Sequence, residues 1–82
     1  MDKIDDLRIQ IDKIDDEIMS LLDKRFNLTK EIGELKKQSN REVLDTKREN
    51  NIRNKISKYS HSPSISVVYT AIMDESKRQQ GK

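Results

Sequence analysis

Apolar residues recur through the first half of the chain at Ile4, Leu7, Ile11, Ile14, Ile18, Leu21, Leu28, Ile32 and Leu35. The steps are three and four, the signature of one face of an α-helix. The one interruption is at Arg25, which stands where the seam asks for an apolar side chain. No proline breaks the run, and its one glycine, Gly33, comes near the end. The spacing predicts a first helix over about residues 4–37. At ~1.5 Å per residue it would be about 50 Å long. A compact chain of this size should be only about 30 Å across. The helix therefore outruns its own chain, and its stripe needs a second chain to cover it. The pattern predicts an oligomer.

Gln38-Ser39-Asn40 is the first predicted break, made of residues that favour turns over helix interiors. A second helix is expected over about 45–59, with Thr46 and Glu49 spaced as a capping box. Its buried face would carry Arg48 or Glu49, then Ile52, Ile56 and Tyr59. Ser60-His61-Ser62-Pro63 reads as a loop, with Ser62 as N-cap and Pro63 at the first helical position. The third helix, over about 63–80, would align Ile65, Val68 or Tyr69, Ile72, Ser76 and Gln80. The β-branched run from Ile65 to Thr70 could also form a strand. Helix is preferred because no second strand exists to pair with it. The expectation is an all-α chain of three helices, with residues 1–82 as a single domain.

Composition narrows the function classes. A core built from 82 residues is marginal alone, which again favours association. The net charge of +2 gives no strong basic field for nucleic acid, and 4% aromatics provide no base-stacking platform. Without cysteine there is no disulfide framework and no thiolate metal site, and one histidine cannot build a zinc site. Neither metal nor other cofactor is expected. No stretch reads as a membrane span or a signal peptide, so the simplest location is the cytoplasm.

Polar side chains lie in line with each apolar stripe. Arg25 and Lys36 are eleven residues apart, so they point within about 20° of each other with Ile32 between them. Asp45, Arg48 and Glu49 share the face of Ile52, and Ser76 and Gln80 extend that of Ile65 and Ile72. Each has a plainer reading alone. Arg25 could set register in a coiled coil. Lys36 could be a solvated cation at the negative end of a helix. Asp45 and Glu49 could merely cap and charge a helix start, and Arg48 could be a surface cation. Ser76 and Gln80 could be solvated near a fraying end, and His61 exposed in its serine-rich loop. Taken together they describe one interior cavity with converging charges. Such a cluster needs internal partners or a charged ligand.

In order along the chain, Leu7-Arg8, Ile14-Asp15, Leu21-Leu22, Arg25, Lys30-Glu31-Ile32-Gly33 and Lys36 resemble the first helix of the all-helical chorismate mutases. The stretch from Arg41 to Glu49, with Asp45 followed three later by Arg48-Glu49, resembles their second motif. Ile72-Met73-Asp74-Glu75-Ser76 with Gln80 resembles their third helix. The likeness covers nearly the whole chain. It implies an intertwined helical homodimer that rearranges chorismate to prephenate, on the way to phenylalanine and tyrosine. It further implies that Arg8 crosses to the partner chain's site and joins Arg25 on the substrate carboxylates. Lys36 and Gln80 would donate to the ether oxygen. Glu49, with the backbone at Asp45, would hold the ring hydroxyl, and Arg48 and Ser76 would complete the lining.

The residue chemistry is compatible with that reaction. An intramolecular pericyclic shift needs no nucleophile, metal or proton relay. It needs a dianion folded into its reactive conformer by cationic clamps, and charge stabilisation at the ether oxygen as the C–O bond breaks. Two rivals stand beside it. A relative on the same scaffold cleaves pyruvate from isochorismate, and Asp45 with Arg48-Glu49 favours the mutase over it. A non-enzymatic helical dimerisation module would use Arg25 only for register.

Overall fold

The computed structural model describes residues 2–39 and 46–81. Three helices follow one another: α1 (Lys3–Ser39), α2 (Thr46–Ile56) and α3 (Ser62–Gln80). Asp2 caps α1, its Oδ1 accepting from the Asp5 backbone N–H at 2.8 Å. α1 continues two residues beyond the predicted Lys37, and Asp45 lies outside the described residues. The run Ile65–Thr70 is helical, inside α3.

Two expectations about the α2–α3 junction are corrected. α2 ends at Ile56, not Tyr59, and Tyr59 is exposed on a bend. Ser57 Oγ donates to the Asn54 carbonyl at 2.6 Å, taking an acceptor at the helix end. The backbone then tightens, with Lys58 and Tyr59 donating to the carbonyls of Lys55 and Ile56. The N-cap of α3 is His61 rather than Ser62. The Ser62 N–H is spent on the Tyr59 carbonyl, and the His61 carbonyl accepts from Ile65 at 2.9 Å, which starts the helix one residue early.

Side-chain pairs fix the directions of the helices. Arg25 meets Ser76, Thr29 meets Gln79 and Lys36 meets Gln80, so α3 runs in the same sense as α1. Glu49 meets Lys77, while Arg53 reaches Thr70 and Ser66, so α2 runs back along α3. α3 is the middle element, packed by α1 on one side and α2 on the other. It meets α1 not on the apolar stripe but beside it, where buried Thr29 and Gly33 let the backbones approach. On α3 the buried positions are Met73 and Ser76; Ser76 lies on the predicted face, and Met73 rather than Ile72 is the buried apolar residue beside it.

The molecule measures 56 × 24 × 14 Å. Its length is that of α1, and its thickness is little more than one helix diameter of about 10–12 Å. So thin a body encloses almost nothing. Among the described residues, the buried hydrophobic side chains are those of Ile56 and Met73. Ile4, Leu7, Ile11, Ile14, Ile18 and Leu21 are all exposed, between 47% and 63%.

Candidate active site

All three helices wall a cleft of about 420 Å³. α1 supplies Arg25, Thr29, Ile32 and Lys36; α2 supplies Arg48, Glu49 and Ile52; α3 supplies Met73, Ser76, Lys77 and Gln80. Six of the residues singled out from the sequence therefore meet here: Arg25, Lys36, Arg48, Glu49, Ser76 and Gln80. Two do not. Asp45 is outside the described residues, and Arg8 is exposed on α1 about 25 Å from Arg25, at ~1.5 Å for each of the intervening residues.

The polar groups are ordered by what each can donate. Arg25 Nη1 donates to Ser76 Oγ at 2.6 Å, and the Ser76 hydroxyl in turn donates a hydrogen bond to the Ile72 carbonyl at 2.7 Å. Ser76 is nearly fully buried, so this chain holds one edge of the guanidinium and leaves its other N–H groups for a ligand. Lys36 Nζ donates to Gln80 Oε1 at 3.0 Å. An ammonium has no acceptor, so it selects the oxygen end of the amide and leaves the Gln80 NH₂ as the end that donates onward. The Gln80 NH₂ thus stands as a donor beside the Lys36 ammonium on the wall of the cleft.

Glu49 carries an ion pair that the sequence did not disclose. Lys77 Nζ lies 3.3 Å from Glu49 Oε2 and 3.6 Å from Asp74 Oδ1. Lys77 follows the buried Ser76 at a helix position that looks solvated in isolation. The spacing Met73, Lys77, Gln80 is the signal that could have placed it on the flank of the same face. Thr29 was missed because a threonine gives no periodic signal in an apolar stripe. Leu28 and Met73 add apolar lining. Among the described residues, the cleft is lined by four cations, Arg25, Lys36, Arg48 and Lys77, and one carboxylate, Glu49. That excess suits a small polyanion. Arg78 is engaged elsewhere: it pairs with Glu75, and its hydrogen bond, then its charge, pull the Glu75 carboxyl below its ordinary range.

The sequence model of the family described as chorismate mutase type II matches residues 7–81. A relative in Aquifex aeolicus (strain VF5), a bifunctional chorismate mutase/prephenate dehydratase, is 43% identical over 56 residues. That alignment covers 68% of this chain but 16% of the relative, so the chain spans only a small part of that protein's length. The matched span takes in every lining residue of the cleft as well as Arg8, and the chain belongs to the chorismate mutase type II family, a family of isomerases.

Proposed function

We propose that this chain catalyses the rearrangement of chorismate to prephenate, as a homodimer in the cytoplasm, in the formation of phenylalanine and tyrosine. The observation that carries the reading is the convergence of Arg25, Lys36 and Gln80 in one cleft, with the lysine fixing the amide so that both donate. The substrate is a dianion, and the excess of cations matches it. Arg25, already braced by Ser76, takes one carboxylate. Lys36 and the Gln80 NH₂ meet the ether oxygen and stabilise the charge that grows there as the C–O bond breaks. Donors fixed beforehand need no reorganisation when that charge appears. Glu49 accepts from the ring hydroxyl. A cytoplasmic setting is supported by the dense surface charge. Among the described residues, no helix is long and apolar enough to cross a membrane.

The homodimer is supported by the shape of the protomer. A stripe of exposed Ile and Leu on a body 14 Å thick has no cover among the described residues. A second copy covers it with the same stripe, and two α1 helices crossing antiparallel near Asp16 and Glu17 bring Arg8 of the partner subunit beside Arg25. The clamp on the second carboxylate is then completed across the interface.

A direct ultraviolet assay with chorismate and with isochorismate tests the reading. Loss of chorismate absorbance with prephenate as product is the expected result. Release of pyruvate from isochorismate alone would make the chain a lyase, and inertness toward both would leave a pairing module.

A further inference from the structure

We infer that the Thr29–Gly33 step of α1 is a positioning element for Gln80, holding the last turn of α3 so that the Gln80 amide reaches Lys36. A Cβ placed on Gly33 would lie 2.7 Å from Gln80 Cα and 3.1 Å from the Gln80 carbonyl oxygen. Both are backbone atoms, which no side-chain rotation can move aside. One turn earlier on α1, the buried Thr29 hydroxyl lies 3.1 Å from Gln79 Oε1 and 3.0 Å from the Phe26 carbonyl, sharing one proton between them. One turn later, Lys36 holds the Gln80 side chain. The end of α3 is thus fixed by a backbone contact and a neighbouring hydrogen bond, both supplied by small residues of α1.

Helix propensity points the other way. Glycine weakens a helix interior, and on that ground alanine at 33 would strengthen α1. The seam reverses the argument. Ordinary contact begins at 3.4 Å, so α3 must withdraw by about 0.7 Å to admit the methyl group. A second cleft of about 350 Å³, lined by Lys30, Glu34, Lys37 and Arg78, lies beside the same contact. Misplacement on the scale of 1 Å at a catalytic group costs up to about 10²-fold in rate. Thr29 and Gly33 touch no reacting atom in this account and act through Gln80.

The catalytic consequence rests on the chorismate mutase reading; the positioning itself does not, so two measurements are made. In Gly33→Ala, kcat should fall about tenfold or more with KM within about twofold, because Gln80 acts on the transition state. Introduced into Gln80→Ala, the same change should alter kcat by less than about twofold, since the group it acts through is gone. Amide hydrogen exchange, which needs no substrate, should quicken at Gln79, Gln80 and Gly81 while helix content is kept. Thr29→Val removes the Gln79 bond at constant shape and should give the same pattern at about threefold to tenfold in kcat. The inference is overturned if folded Gly33→Ala keeps wild-type exchange at 79–81. If Gly33→Ala does not fold, wild-type exchange and kcat in Thr29→Val overturn it instead. A wild-type protein inert toward chorismate ends the functional reading and leaves exchange to decide the positioning.

Discussion

Arg25 and Ser76, fifty-one residues apart in sequence, are joined by a 2.6 Å hydrogen bond in which the guanidinium donates and the buried hydroxyl accepts. Because the Ser76 hydroxyl donates to the Ile72 carbonyl, the direction of that bond is fixed. Ser76→Ala removes the one side-chain acceptor that braces this edge of Arg25 among the described residues. The proposed clamp should loosen, lowering kcat/KM by about tenfold, equivalent to ~1.4 kcal/mol, mainly through a higher KM. Steady-state kinetics on the folded variant checks this, and an unchanged KM would show that Arg25 is oriented by other contacts.

Lys36→Ala should act differently. The lysine contributes chiefly to the transition state, so kcat should drop by about 10²–10³-fold, the scale seen when one preorganised donor is removed. Taking a cation out of a cation-rich cleft relieves repulsion, so the fold should survive. Circular dichroism and kinetics on one sample decide the matter; near-normal kcat in a folded variant excludes the role.

If the α1 stripe is covered by a second copy, folding and association are one process and the melting temperature depends on concentration. Each tenfold dilution weakens a two-state dimer by about 1.4 kcal/mol, which lowers the melting temperature by roughly 3 °C or more for two chains of this size. A monomeric, dilution-independent transition would rule out the dimer.

The shared site makes a sharper claim. Arg8 and Arg25 are about 25 Å apart along one helix, so they cannot grip one small dianion from the same chain. Arg8→Ala and Arg25→Ala chains, each inactive alone, are refolded together in equal amounts. Half the dimers should be mixed, and each mixed dimer has one site with both arginines and one with neither. About a quarter of wild-type activity should return. Activity that stays at the level of the separate variants, with mixed dimers confirmed by mass spectrometry, would rule out the shared site.

The sequence by itself determined the helices and the family. Three-and-four spacing is set by the helical repeat, so α1 was legible to within two residues, and the strand alternative for Ile65–Thr70 failed for want of a partner. Most of the cleft was legible for the same reason: Arg25, Lys36, Arg48, Glu49, Ser76 and Gln80 are polar groups in line with apolar ones. Tertiary structure decided how the faces meet. The end of α2 at Ile56 and the cap at His61 depend on which carbonyls the Ser57 hydroxyl and the Ser62 N–H reach, and periodicity does not carry that information. The Lys77–Glu49 pair and the seam of Thr29 and Gly33 against Gln79 and Gln80 join residues far apart in the chain. A helical repeat reports which side of its own helix a residue occupies; how closely another helix approaches that side is set by packing, here by the smallness of Gly33.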